Sequence, residues 1–189
     1  MANKRIRFGV TNGCYDMIAS EAADGKITYA HQVTDIKGLK SVSAAVNGEE
    51  LTEEADNGSW YEGASNNGYD LTLTFEDSES ADTFLSSAYG RTKDTNGVEF
   101  ENTGDEPVGF AFGALFPFKG GTATGRKIWF LNCVAMRHDI NGEVKTIGTN
   151  EVTVKCRPNA AGDVKTSCLS TDTGYGTFLS AVYDEKVTE

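Results

Sequence analysis

Apolar residues along this chain recur mostly at a spacing of two. The clearest case is 69–76, where Tyr69, Leu71, Leu73 and Phe75 share one face and Asp70, Thr72, Thr74 and Glu76 the other. That is the pattern of a strand with one side against a core and the other against water or a neighbour. Ile6, Phe8 and Val10, alternating with Arg7 and Gly9, predict an N-terminal strand. Residues 14–19 and 26–30 predict a short hairpin around Asp24-Gly25, and 39–46 a strand ending at Asn47-Gly48. Asn96-Gly97 marks a turn before another strand over 98–101. In 108–118, Val108, Phe110, Phe112, Phe116 and Phe118 stand opposite Gly109, Ala111 and Gly113. Large residues against small ones predict a strand that something approaches closely. Residues 126–137 are apolar on both faces, as a central strand is, and 143–147, 151–157 and 163–167 complete the strands.

The period changes once. Over 78–89, Ala81, Phe84, Leu85 and Ala88 fall on one helical face, Asp77 or Ser78 supplies an N-cap, Glu79 and Asp82 suit the first turn, and Gly90 ends the run. A second, shorter helix or turn is predicted where Phe178, Leu179, Val182 and Tyr183 recur. The fold class is therefore mostly β: a single domain over 1–189, a β-sandwich or barrel-like fold with one flanking α-helix. Residues 47–67 carry no period and are predicted as a long extended loop, of a length that in compact domains is usually functional or disordered. It opens with Glu49, Glu50, Glu53, Glu54 and Asp56, a run whose usual meaning is a solvated segment, and continues with Trp60 and Tyr61. Aromatics of that size are costly to leave in water, so they fold back on their own sheet or anchor on another subunit.

Composition narrows the function classes. A formal net charge of -11 argues against a nucleic-acid binder, since phosphates are held by clustered Lys and Arg. It suits either a soluble acidic surface or a wall past which DNA slides without sticking. Cys14, Cys133, Cys156 and Cys168 form no C-x-x-C pair and do not combine with His31 or His138 into a zinc pattern. With Asn141-Gly142 turning a hairpin, Cys133 is expected to face about position 150, so all four are expected to be free thiols in a reducing cell. No signal peptide or membrane span is expected at the charged start or elsewhere.

Catalytic patterns fail one by one. The run 120–127 lacks the Gly-Lys-Ser/Thr ending of a phosphate loop and joins two strands, so a hairpin loop is expected. Residues 139–143 start like a calcium loop, but Asn150 stands where its last glutamate belongs. Both histidines are expected on the solvated surface, with no nucleophile motif beside them. The expectation is a protein that is no enzyme, with no catalytic residues, no cofactor and no metal.

Several stretches resemble the major tail tube protein of long non-contractile-tailed phages, the siphophage type of Gram-positive hosts and their prophages. They are Arg7-Phe8-Gly9-Val10-Thr11 before a hairpin, Ala55-Asp56-Asn57-Gly58 with Trp60-Tyr61, and Ser65-Asn66-Asn67-Gly68-Tyr69 before the alternating strand. Val108-Gly109-Phe110-Ala111-Phe112-Gly113, the 151–158 stretch and the closing Phe178-Leu179-Ser180-Ala181-Val182-Tyr183 match as well, with Phe178 where a tryptophan is expected. The resemblance implies a structural virion protein made in the host cytoplasm, hexameric rings stacked into a tube, and a lumen through which DNA is ejected. It implies partners that are copies of itself and other tail proteins (tape measure, terminator, distal tail), with no tight nucleic-acid binding and no membrane. Glu49, Glu50, Glu53, Glu54, Trp60 and Tyr61 are the expected subunit-interface residues. The alternatives are another tail or neck component such as a terminator, a secretion-type tube protein, or a carbohydrate-binding β-sandwich.

Overall fold

The computed structural model describes residues 6–7, 9–55, 58–119, 121–140 and 148–185, and among these the side chains outside 50–64 and 121–123. Nine antiparallel strands form one open sheet. Strand β1 (Thr11–Glu21) pairs along one edge with β10 (Phe110–Phe118). Its other edge is shared by two short strands, β3 (Thr34–Ile36) and β2 (Ile27–Tyr29). On the far side of β10 lies β11 (Gly121–Ala135), which divides its outer edge in the same way. There β13 (Lys165–Leu169) takes 126–130 and β12 (Thr149–Cys156) takes 133–135. The change of partner falls at Asn132, held at a φ of 46° with its side-chain amide donating to the Pro158 carbonyl at 3.2 Å. Beyond β12 follow β7 (Tyr69–Glu76) and the edge strand β4 (Leu39–Val46).

Only Lys37 and Gly38 separate β3 from β4, although these strands belong to opposite ends of the sheet. The sheet is thus curled until its ends nearly meet. The start of α1 (Glu79–Ala88) spans that gap. Ser78 Oγ accepts from the Ala81 amide at 3.2 Å as the N-cap and donates to the Lys37 carbonyl at 3.1 Å. Ser80 Oγ accepts from the Lys37 amide and donates to the Asp35 carbonyl at 2.8 Å. One turn of helix therefore satisfies its own amides and the junction in the same step.

Two apolar layers follow from the alternation. Ala81, Phe84, Leu85 and Ala88 of α1 pack on Tyr15, Phe75, Phe110, Phe112 and the inner faces of β7 and β12. On the other side of β1, β10 and β11, the C-terminal segment covers Cys14, Ala111, Trp129 and Leu131. Here lies the close approach expected at 108–118: a Cβ on Gly113 would sit 2.8 Å from Trp129 Cζ3 and 2.8 Å from Cys14 Sγ. The small face of β10 is filled from within by the indole, whose N–H donates to the Phe178 carbonyl at 2.8 Å.

The mostly β class, the helix with its cap and buried face, and the boundaries of β4 and β7 agree with the sequence pattern. Several expectations are corrected. Among the described residues the first strand begins at Thr11; Arg7 forms an isolated bridge to Phe118 before it, and Phe8 lies outside the described residues. Around Gly97 the strands are two residues each, β8 (Thr92–Lys93) and β9 (Glu99–Phe100). Of the helix or turn expected where Phe178, Leu179, Val182 and Tyr183 recur, the turn is what forms: a 3-10 turn at Thr173–Gly176 runs on into turn and bend residues, with Phe178 held by Trp129 and stacked on Tyr183. The strand expected at 143–147 and the Asn141-Gly142 turn lie outside the described residues. Cys133 stands opposite Cys156, not position 150, so the register of β11 and β12 is centred further along the chain than that turn. His138 is half-buried rather than solvated, with Nδ1 2.9 Å from Tyr89 Oη.

Candidate functional site

The predicted long loop is a β-ribbon. Residues Glu50–Ala55 (β5) and Gly58–Ala64 (β6) pair antiparallel in a two-stranded sheet of their own. The ribbon continues the hairpin of β4 and β7. Beyond the Val46–Tyr69 pair, the Asn47 amide donates to the Gly68 carbonyl at 3.0 Å, and the Asn67 amide to the Asn47 carbonyl at 2.8 Å. The Ser65 amide then donates to the Glu49 carbonyl, and the Glu49 amide to Ser65 Oγ at 2.9 Å. The joint needs its glycines. A Cβ on Gly48 would lie 2.0 Å from the Ser65 carbonyl oxygen, and one on Gly68 2.0 Å from that of Cys156. At about 3.3 Å per residue, a six-residue strand extends the hairpin by roughly 20 Å past this joint.

Glu49, Glu50, Glu53, Glu54, Trp60 and Tyr61, expected at a subunit interface, all lie on this arm or at its base. Glu49 is exposed at its base. Glu50 pairs with Ala64, Glu53 with Tyr61 and Glu54 with Ser59. The register shifts between the last two pairs, leaving Trp60 as the extra residue of a bulge. The side chains of Glu50, Glu53, Glu54, Trp60 and Tyr61 lie outside the described residues.

A second surface adjoins the arm. The outer face of β4, β7 and β12 is built of cross-strand rows: Ser41–Thr74–Glu151, Ser43–Thr72–Thr153 and Ala45–Asp70–Lys155. Ser41 Oγ donates to Thr74 Oγ1 at 2.9 Å. Ser41, Ser43, Ala45, Glu151, Thr153 and Lys155 are exposed, whereas the opposite face of the same strands holds Leu71, Leu73, Val152 and Val154 in the core. It is an even polar face with both charge signs. Sequence periodicity showed its two-sided character for β7, but the rows required the register.

Several other charged groups have structural partners. Arg91 bridges Glu99 at 3.7 Å and Glu101, and Arg137 Nε meets Glu101 at 3.1 Å. Arg91 also lies 4.9 Å over the Tyr89 ring. Burial is the main cause that pushes the Tyr89 hydroxyl up to about 12, against which the Arg91 charge pulls it down. A cleft of about 520 Å³ lies between Asn12, Asp35, Lys37 and Lys127. Its Lys127 ammonium is spent on the Tyr175 and Gly176 carbonyls and the Tyr175 ring. Asp16, fully buried, accepts from the Gln32 amide at 3.1 Å through one oxygen, while the other has no hydrogen-bond partner. No pattern in the sequence pointed to it. Among the described residues no group of three His, Cys, Asp or Glu is placed to hold a metal, and no helix is long and apolar enough to cross a membrane.

No protein-family model matches the chain, and comparison with curated proteins finds no match. Solved structures that resemble it at a low degree include the following two. A chain of the anti-feeding prophage baseplate, 6-fold symmetrised, is 8% identical over 91% of this chain and 100% of its own, with a TM-score of 0.44. A type VI secretion system effector from Yersinia pestis is 12% identical over 84% of this chain and 99% of its own, with a TM-score of 0.34.

Proposed function

We propose that this chain is a structural subunit of a phage tail tube, assembling into rings that stack around a DNA conduit. The observation that carries the reading is the arm. A two-stranded ribbon is marginal in water by itself, and among the described residues β5 and β6 pair only with one another. A ribbon that also bears Trp60 and Tyr61 is best explained by a second copy that receives it. The resemblance to tail tube proteins, strongest in this same segment, supplies the identity of the assembly. The polar rows of β4, β7 and β12 suit a wall facing a passage: hydroxyl-rich, of mixed charge, and without a basic patch to retain phosphate. In this reading the partners are copies of the chain and the tail proteins at the ends and centre of the tube, and the protein performs no chemistry. Negative-stain electron microscopy of the purified protein tests it. Rings and tubes are expected as concentration rises; a monomer at every concentration would overturn the proposal, and rings that never stack would favour the terminator alternative.

A further inference from the structure

The inner half of the sheet, β1, β10 and β11 with β13, meets the outer wing of β12, β7 and β4 along a short seam. Its ladder is Cys133–Cys156, Val134–Lys155 and Ala135–Val154, whereas β12 and β7 are matched over the whole length of both. The arm is carried by the wing. Anything that fixes the seam therefore fixes the arm relative to most of the core.

The hydrogen bonds show what kind of position Cys133 and Cys156 occupy. The Arg157 amide donates to the Asn132 carbonyl at 3.0 Å, and the Met136 amide to the Thr153 carbonyl at 2.8 Å. In an antiparallel ladder, bonded and non-bonded pairs alternate. Asn132–Arg157 is a bonded pair, so Cys133–Cys156 is a non-bonded one. In such pairs the Cα atoms approach to about 4.5 Å, inside the span that a disulfide bridges. The two sulfurs lie 2.7 Å apart. Both residues are buried, and Cys14 and Cys168 belong to the opposite layer.

We propose that Cys133 and Cys156 form a built site for a cross-strand disulfide, closed when the protein meets a low-molecular-weight disulfide such as oxidised glutathione. One cysteine thiolate attacks the small disulfide and expels a thiol; the second cysteine then attacks the mixed disulfide and expels the other. The protein gives up two electrons and two protons, one S–S bond forms, and the small disulfide leaves as two thiols. Burial raises the Cys133 thiol well above its ordinary range, so the exchange proceeds where the seam opens, during folding or assembly, and slowly in the closed protein. This inference is independent of the tail tube reading.

The test is refolding of the full chain from denaturant in a glutathione redox buffer, and in parallel with excess dithiothreitol. Alkylation under denaturing conditions should then find two free thiols in the first sample and four in the second. Peptide mapping should join the Cys133 and Cys156 peptides. Closing this loop should raise the thermal midpoint by roughly 10 °C over the reduced protein, a gain that Cys133→Ser abolishes. Four free thiols after oxidative refolding, glutathione adducts in place of a bridge, a bridge through Cys14 or Cys168, or a lowered midpoint would each overturn the proposal. The map uses the unaltered chain, so the result stands even if the variant fails to fold.

Discussion

Gly113→Ala is a single-methyl perturbation whose cost can be worked from distances. Gly113 lies directly opposite Trp129 in the β10–β11 register. The added carbon would stand 2.8 Å from Cys14 Sγ and 2.8 and 2.9 Å from two atoms of the indole. None of these neighbours can give way cheaply. The Trp129 side chain is wholly buried and its N–H is held by the Phe178 carbonyl. Cys14 is buried as well and belongs to a strand paired on both edges. Overpacking of this kind costs about 1–3 kcal/mol. For a domain of this size that is a fall of roughly 3–10 °C in the thermal midpoint, read by circular dichroism at neutral pH.

The same geometry predicts a partial rescue. Trp129→Phe removes the ring atoms that meet the new methyl, at the expense of the bond to Phe178. The double variant should be more stable than the sum of the singles by about 1 kcal/mol, since residues in direct contact couple. A Gly113→Ala variant within about 0.5 kcal/mol of the parent protein, or strictly additive singles, would refute the claim that the small face of β10 is filled by Trp129.

Other perturbations reach other parts of the molecule. Replacing Trp60 and Tyr61 together with alanine should leave a folded monomer with unchanged circular dichroism but no tubes in negative stain; unfolding, or normal assembly, would mean the arm serves its own domain. Ser78→Ala should lower stability by about 1 kcal/mol in urea unfolding, since the helix cap and the bond to the Lys37 carbonyl go together. Burial raises Cys14 from 9.0 to about 12 and Tyr89 from 10.0 to about 12. Both groups are neutral when protonated, so the folded state holds its protons longer than the unfolded chain. Their contribution is complete below about pH 9 and is lost as pH rises toward 12, so the urea midpoint should fall across that window, less steeply in Cys14→Ser.

How much of this was legible in the sequence depended on whether a residue's partner lies near it along the chain or follows from its own face. The helix of 79–88 declared itself through Ser78, Ala81, Phe84 and Leu85, and β7 through four alternating apolar residues, because each has one buried face. Phe178 was legible as helix or turn and stands in a turn, but the indole 49 residues away that holds its carbonyl was not. His138 was read as surface because Tyr89, equally distant along the chain, gives no local signal. The meeting of Cys133 with Cys156 was missed for a related reason: it depends on the register, and the register on a connection longer than a tight hairpin.

The arm was hidden for a different cause, and that cause bears on its role. Alternation is written into a strand only where one of its faces is buried in the same chain. β5 and β6 pair with one another rather than with the main sheet, and Leu51, Glu53, Trp60 and Tyr61 fall into no period, so the segment read as a loop. Its backbone bonds are nevertheless satisfied across β5 and β6, and its base is fixed by Gly48 and Gly68, where any side chain would strike a carbonyl. Trp60 and Tyr61 are too large and apolar for a solvated linker, and in the proposed assembly another copy receives them. The wing behind the arm fits that division: β4 and β7 bury Leu71, Leu73 and Phe75 inward and turn a row of serines and threonines outward. In the proposed tube, the strands that hold the arm in place would also present the face that lines the passage.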